Sequence, residues 1–181
     1  MRHETAEQKY VVKPLEDWFK RQKAKWILQP RKSSTTTGWD IQARRKNQDL
    51  LIEAKYIQRS FIGSFSQLVT SPLPRKTQDF MKNKDESWCA DKGWAIGSSY
   101  KTRNIYQLIF DYFGRNPEFW EHYCQDLKVK YVFFVKENRV GRILFTKLLK
   151  IADSYARQTV GMNCNQRRTI ADQLMKNLSY T

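Results

Sequence analysis

Cysteine and histidine, from which disulfide frameworks and most zinc sites are built, are scarce in this sequence. There are three cysteines and two histidines among 181 residues. Cys89, Cys124 and Cys164 are widely separated and form no CxxC pair. This excludes a zinc ribbon and leaves zinc fingers and other histidine-ligated sites without ligands. It also predicts a protein of the reducing cytoplasm.

A long apolar segment is also absent from the sequence. The longest strongly apolar run, residues 131–135, is far shorter than the roughly 20 residues that cross a membrane. The chain begins with Met1, Arg2, His3 and Glu4 and continues with charged residues, so no secretory signal is expected. A chain of this length with 40% hydrophobic residues can bury one sizeable core, which predicts a single domain, residues 1–181.

Acidic residues are few relative to basic ones. The 18 Asp and Glu stand against 33 Lys and Arg, a formal net charge of +15. This excess predicts a polyanionic partner such as a nucleic acid. Charge alone leaves open a solvated basic surface, or a protein that binds RNA without chemistry. Many of the cations lie close to one segment, residues 38–57, and are the predicted nucleic-acid contacts: Arg31, Lys32, Arg44, Arg45, Lys46, Arg59, Arg75 and Lys76.

Residues 38–57 are predicted to form a β-hairpin. Two strand-like arms, at about residues 39–44 and 49–57, flank a polar cluster. A turn centred on Lys46 and Asn47 then pairs Ile41 with Ile52. One face of the hairpin is apolar under this register, as expected of a sheet that covers a core.

The same register places two carboxylates, those of Asp40 and Glu53, directly opposite each other. Cβ atoms at such positions lie about 4.5–5.5 Å apart, and like charges there are destabilising. Lys55 points the same way as Glu53, because side chains alternate between faces along a strand. A cation between the carboxylates would explain the pair, and oxygen ligands suit Mg²⁺ or Mn²⁺. The alternative is that Lys55 simply neutralises Glu53 on a solvated sheet face.

Helices and strands are predicted on both sides of this hairpin. Residues 5 to about 25 indicate a helix with a capping-box pattern, Thr5 followed by Gln8. Pro14 either kinks this helix or begins a second one. Further strands are predicted at residues 26–30, 88–98, 129–135 and 140–146, and helices at 61–81 (in pieces), 103–113, 117–127, 147–157 and 165–178.

The order of helix, strand, Asp-bearing strand, Glu-x-Lys strand, helix and strand resembles the PD-(D/E)XK nuclease superfamily. The resemblance covers about residues 5–98 and is strongest from Gly38 to Lys55. It implies an α/β fold with a central mixed β-sheet flanked by helices. The core would be the restriction-endonuclease-like αβββαβ arrangement, followed at about residues 100–181 by a C-terminal hairpin and helices. The sequence departs from the motif at Trp39, which stands where the motif's name has proline.

The resemblance implies an Mg²⁺-dependent endonuclease acting on DNA, either junction-resolving or of restriction type. Asp40, Glu53 and the carbonyl of Ala54 would be metal ligands, and Lys55 would orient and activate the attacking water. An acid of the first helix and a helix-start glutamine, Gln67, are further catalytic candidates. For the acid, the helical stripe favours Glu7, on the border of the core face, over Glu16, which points mainly to solvent.

Two rival functions and the oligomeric state remain open at this point. The rivals are a non-catalytic basic nucleic-acid-binding protein and an RNA nuclease. A homodimer is expected, since cutting both strands of a duplex requires two sites. Its interface is assigned to residues 131–135 and 143–145 and to Phe119, Trp120 and Tyr123, the alternative being that these residues complete the monomer core. Several aromatics either stack on bases or, as we favour, belong to the core: Trp39, Phe61, Phe65, Trp88 and Trp94.

Overall fold

The computed structural model describes residues 4–29, 40–57, 90–98, 105–114, 117–118, 120–121 and 129–176. Within them the chain forms a π-helical turn, ten regular elements and short helical stretches at residues 117–118 and 120–121. In order these are the π-helical turn Gln8–Val12, α1 (Lys13–Arg21), β1 (Ile27–Gln29), β2 (Ile41–Arg45), β3 (Gln48–Ile57), β4 (Asp91–Ser98), α2 (Ile105–Phe113), β5 (Val129–Lys136), β6 (Arg139–Leu144), α3 (Phe145–Gln158) and α4 (Cys164–Met175).

The six strands form one mixed sheet in the order β1-β2-β3-β4-β5-β6. Strands β1, β2 and β3 are antiparallel neighbours, β3, β4 and β5 run parallel, and β6 returns antiparallel to β5. The predicted α/β fold with a mixed β-sheet flanked by helices is therefore confirmed. The predicted elements at residues 58–89, and with them the helix at 61–81, lie outside the described residues.

Helices cover both faces of this sheet because its strands carry apolar side chains in alternation. The first face packs against the π-helical turn and α1 through a cluster that includes Val11, Leu15, Trp18, Phe19, Ile52, Ala95 and Phe133. The second face packs against α2, α3 and α4 through Trp94, Ile96, Phe110, Phe113, Val132, Phe134, Phe145 and Leu148, among others. Strand β4 is covered on both sides and is therefore almost entirely buried, including its polar residues Lys92 and Ser98.

The first helix stays helical through Pro14 but changes its winding just before it. The Thr5 hydroxyl accepts a hydrogen bond from the Gln8 amide at 3.2 Å, as the capping pattern predicts. The Lys13 amide then donates to the Gln8 carbonyl, five residues back, and Pro14 follows as the second residue of α1. In an α-helix the Pro14 ring would clash with the carbonyl four residues earlier, and the wider turn avoids this.

Several predicted boundaries were wrong by a few residues. Helix α1 ends at Arg21, not near residue 25. Strand β6 ends at Leu144, and α3 begins at Phe145 instead of residue 147. The reason is the periodicity of burial: Phe145 is buried together with Leu148, Leu149, Ala152 and Tyr155 at helical spacing. Helix α4 is preceded by a capping box that joins Asn163 and Gln166.

Most of the described apolar residues assigned to a dimer interface lie in the core of the single chain. Phe133, Phe134, Phe145 and Trp120 are each at most 2% exposed. Leu144 is 45% exposed, and Phe119 and Tyr123 lie outside the described residues. The predicted interface was therefore wrong for the four buried aromatic residues, which fill the two cores beside β5. A homodimer itself stays a prediction.

Candidate active site

The β2–β3 hairpin carries the candidate site and has the predicted register. Ile41 pairs with Ile52, and the turn consists of Lys46 and Asn47. Lys46 adopts a left-handed backbone conformation, φ 34°, as two-residue hairpin turns require. This register decides which side chains of β3 share a face, so the predicted placement of Glu53 and Lys55 on one face is confirmed.

Asp40 lies immediately before β2 and binds the backbone of β3. Its amide donates to the Ile52 carbonyl at 2.9 Å. Its carboxylate Oδ2 accepts a hydrogen bond from the Ala54 amide at 2.7 Å. Regular pairing thus ends at Ile41, and Asp40 is held beside Glu53 by Ala54 rather than as a simple cross-strand partner.

Glu53 and Lys55 form an ion pair on the second face of the sheet, the face that packs against α2, α3 and α4. The Lys55 ammonium lies 2.9 Å from Glu53 Oε1, and the two side chains are 26% and 11% exposed. In the parallel register Glu53 lies beside Trp94 of β4. Trp94 is buried against Phe113 and Phe145, so the expectation that it belongs to the core is confirmed.

Burial and neighbouring charges shift the titration of this pair. Burial raises the pKa of Glu53 above its ordinary value; the Lys55 ammonium opposes this shift, and the Asp40 carboxylate adds to it. Burial lowers the pKa of Lys55, but the charge and hydrogen bond of Glu53, with smaller contributions from Glu7 and Asp40, leave it above its ordinary value. Lys55 therefore stays protonated at neutral pH and acts as a hydrogen-bond donor and a positive charge, not as a base.

Glu7 and Glu16, the two candidate acids of the first helix, influence the pKa values of different lysines. Glu7 is one of the carboxylates that raise the pKa of Lys55. Glu16 contributes to the raised pKa of Lys13, an exposed residue at the start of α1. Among the described residues this places Glu7, not Glu16, within electrostatic reach of the site, as the helical stripe favoured.

The oxygen donors of the site suit a hard divalent cation, although they do not form a complete set. Asp40 and Glu53 are close enough for the charge of one carboxylate to raise the pKa of the other. Such a pair of carboxylates is the donor type that Mg²⁺ and Mn²⁺ prefer. Within the described part of the chain, no three His, Cys, Asp or Glu side chains are arranged to hold a metal ion.

Three predicted nucleic-acid contacts line a cleft at the turn end of the hairpin. The cleft has a volume of about 1000 Å³ and is bordered by Arg44, Arg45 and Lys46, with Lys25 from the segment before β1. Arg44 is paired with Asp49 at 3.2 Å, and Arg45 lies over the Trp26 ring at 5.8 Å. Sequence reasoning missed Lys25, whose only signal is its place in a basic stretch that leads into β1.

The cleft and the carboxylates lie at different points along the same strands. Six residues separate Asn47 from Glu53, which corresponds to roughly 20 Å of extended strand. The structure thus does not bring Arg44, Arg45 and Lys46 to the carboxylates. The other predicted site residues lie outside the described residues: Gln67, Arg31, Lys32, Arg59, Arg75 and Lys76.

Comparison with known proteins found no match to this chain among family models, curated proteins or solved structures. No helix within the described ranges is long and apolar enough to cross a membrane.

Proposed function

We propose that this chain is an Mg²⁺-dependent endonuclease that hydrolyses phosphodiester bonds in DNA, of junction-resolving or restriction type. One observation carries the proposal. The Asp40 carboxylate accepts a hydrogen bond from the amide of Ala54, the residue between Glu53 and Lys55 on β3. Two carboxylates and a protonated lysine in one patch, on a protein of net charge +15, are the groups that metal-assisted phosphodiester hydrolysis uses.

The chain order of the described elements supports the same proposal. A helix is followed by three antiparallel strands and then by β4, which lies parallel to β3. This is the order of an αβββαβ core as far as the described residues extend. Asp40 lies directly before the second strand of that order, and Glu53 and Lys55 lie on the third, as the PD-(D/E)XK resemblance expects.

The metal would be held by Asp40 and Glu53 with the carbonyl of Ala54, and Glu7 would be a further or water-mediated ligand. When bound, Mg²⁺, or Mn²⁺ in its place, lowers the pKa of a water molecule and stabilises the charge that develops on the phosphate. The Ala54 amide fixes the Asp40 carboxylate through their hydrogen bond, so this ligand is oriented before any substrate arrives.

Lys55 would orient the attacking water and stabilise negative charge at the scissile phosphate. Its ammonium already donates to Glu53 and stays protonated because of the surrounding carboxylates. A group in that state donates hydrogen bonds to water and phosphate oxygens and does not accept a proton. Lys55 is partly buried beside Ile96, and this strengthens these interactions because the local dielectric is lower than in water.

Glu7→Gln is expected to slow cleavage by about tenfold, which is about 1.4 kcal/mol of transition-state stabilisation. The matched variant Glu16→Gln, on the same helix, should stay within about twofold of the wild type because its charge does not act on Lys55. Single-turnover cleavage rates measure both. Equal rates in the two variants would remove the first-helix acid from the mechanism, and the reverse order would assign the role to Glu16.

Nucleic-acid binding should weaken steeply with salt, because the cations around the hairpin displace counterions from the phosphates. If about six phosphates are contacted, the slope of log K against log salt should be near −5. Fluorescence anisotropy with a labelled duplex measures this slope over a salt range of about 50 to 300 mM, in which the effect is large. A flat response would show that the +15 charge serves another purpose.

A cleavage panel tests the function itself. The protein is incubated with supercoiled plasmid, linear duplex, single-stranded DNA, a four-way junction and RNA, each with Mg²⁺, Mn²⁺ or a chelator. An Asp40→Asn variant purified identically controls for contaminating nucleases. Cleavage of DNA by the wild type alone, abolished by the chelator, supports the proposal; cleavage confined to RNA reassigns the substrate.

One observation favours a non-catalytic nucleic-acid-binding protein as the second candidate. Glu53 is already paired with Lys55, and the described residues hold no three-carboxylate group. In that case the acids serve only in ion pairs. The same panel decides between the two, because binding that survives chelation without any cleavage supports only this candidate.

A further inference from the structure

A second polar pocket lies at the carboxyl end of β5, away from the hairpin. It has a volume of about 270 Å³ and is lined by Tyr106 of α2 and by Lys136, Glu137 and Arg139 of the β5–β6 turn. Glu137 has a left-handed backbone conformation, φ 57°, which makes this a tight two-residue turn. None of these four residues belongs to the candidate active site.

The parallel strands place this pocket on the same edge and the same face of the sheet as Lys55. Lys55 lies beside Ile96 of β4, and two residues further along that strand Ser98 lies beside Lys136. Lys136 is therefore two strands across and two residues along from Lys55. With strands 4.8 Å apart and 3.3 Å per residue, the backbone separation is about 12 Å.

The chemistry of the pocket favours an anion. The lining residues carry two exposed cations, Lys136 and Arg139, and one exposed carboxylate, that of Glu137, a formal charge of +1. Tyr106 adds a hydroxyl whose pKa is raised to about 12, chiefly by burial, with the charge of Arg139 opposing the shift and that of Asp172 in α4 adding to it. That hydroxyl stays protonated and can donate a hydrogen bond, and an ammonium with a guanidinium is a common phosphate-binding pair.

We propose that this pocket binds a backbone phosphate of the nucleic acid whose scissile phosphate lies at Lys55. The inference rests on the proposed function. Consecutive phosphates of one strand follow one another at about 3.4 Å along the helix axis but lie roughly 7 Å apart through space, so a separation of about 12 Å corresponds to about two nucleotides. The bound strand then runs across the carboxyl ends of β3, β4 and β5, from the carboxylates toward the β5–β6 turn.

The first test compares DNA binding by two double variants, one that removes the cations of the pocket and one that removes two lysines elsewhere. Lys136→Ala/Arg139→Ala removes both cations of the pocket. Lys147→Ala/Lys150→Ala removes two exposed lysines from α3, at the opposite end of β6. At 0.15 M salt the loss of two phosphate contacts should weaken duplex binding about 30-fold and make the salt slope shallower by about 1.8. The control variant should change affinity by less than about twofold.

Two further measurements make the test specific for phosphate at this pocket. Glu137→Gln removes the one carboxylate and should tighten binding about threefold, as expected for charges some 6 Å apart in water. A duplex with one neutral methylphosphonate, placed about two nucleotides from the cleaved bond, should bind the wild type less tightly than the unmodified duplex. The same modification should have no effect on Lys136→Ala/Arg139→Ala.

Binding is measured by anisotropy in the presence of chelator, so it does not depend on cleavage. If the pocket variant binds like the control variant while the wild type cleaves DNA, the pocket proposal is wrong and the proposed function stands. If the pocket variant binds weakly but the wild type never cleaves, the pocket stands as a nucleic-acid contact and the endonuclease proposal falls. A wild type that binds no nucleic acid would overturn both.

Discussion

Asp40→Asn, Glu53→Gln and Lys55→Met are each expected to lower the rate of DNA cleavage by at least about a thousandfold, or about 4 kcal/mol of transition-state stabilisation. Each substitution removes one charge of the candidate site and keeps nearly the same side-chain shape. Affinity for DNA should change by less than about sixfold, the effect of one phosphate contact at 0.15 M salt, since it comes from many phosphate contacts elsewhere. Single-turnover cleavage and anisotropy on the same preparations measure the two effects separately.

A control on the same strand is available in Asp49→Asn. Asp49 is a carboxylate of β3 that pairs with Arg44 at the turn end of the hairpin, away from Glu53. Its loss should leave the cleavage rate within about twofold of the wild type. A wild-type cleavage rate in any one of the three site variants would show that the substituted residue has no catalytic role. Equal losses in Asp49→Asn would show that the effect comes from general charge removal.

The folding of Lys55→Met must be checked together with its activity. Lys55 neutralises a largely buried carboxylate, and removing one partner of a buried ion pair leaves the other uncompensated. Without Lys55 the pKa of Glu53 should rise further, because the ammonium is the main influence that lowers it. Glu53→Gln likewise removes one partner of this pair, so thermal melting of both variants is compared with the wild type to separate the loss of chemistry from the loss of stability.

The candidate site was the part of the molecule most open to prediction from the sequence. The two-residue turn at Lys46 and Asn47 and the apolar alternation around it determine one register, since a slip of one residue would turn Ile41 and Ile52 away from the core. Glu53 and Lys55 share a face because side chains alternate along a strand, and the register decides that Asp40 lies near them. These are local properties, because the two-residue period of the strands and the position of one turn determine where the site residues lie on the hairpin.

Features that depend on distant parts of the chain were not predictable in the same way. Pro14 predicts a kink or break in the first helix, but the periodicity of the helix does not reveal the form that it takes, a π-helical turn packed against β4. The hydrogen bond from Ala54 to Asp40 requires the regular β2–β3 pairing to end at Ile41, and the residue types there do not predict this end. Whether Phe133 and Phe145 fill a core or a dimer interface depends on α1 and α2, which reach the sheet from distant positions in sequence.

Gly97→Val is expected to lower the free energy of unfolding by about 3 kcal/mol, the upper part of the usual range for overpacking a core. A Cβ at Gly97 would lie 2.6 Å from Val11 Cγ2 and 3.2 Å from the carbonyl oxygens of Tyr10 and Val135. Val11 cannot turn away, because a β-branched side chain in a helix has essentially one rotamer. The π-helical turn must therefore move off β4, and thermal unfolding should shift by about 6–12 °C.

The same substitution should affect the candidate site, because Glu7 directly precedes the segment that must move. Gly97→Val should therefore reduce cleavage to about the level of Glu7→Gln, roughly tenfold, at a temperature where the protein remains folded. Gly114→Ala is the matched control. Its Cβ would lie 2.6 Å from the Ala152 carbonyl oxygen and 2.8 Å from that of Phe110, so it strains α2 against α3 without touching the first helix.

These two glycine variants separate stability from positioning. Both should melt at lower temperature than the wild type, but only Gly97→Val should lose activity per folded molecule, because only Gly97 contacts the segment next to Glu7. A melting temperature within about 2 °C of the wild type for Gly97→Val would contradict the close packing of that segment on β4. A melting loss with normal cleavage would leave the packing intact and show that Glu7 does not act on Lys55 during the reaction.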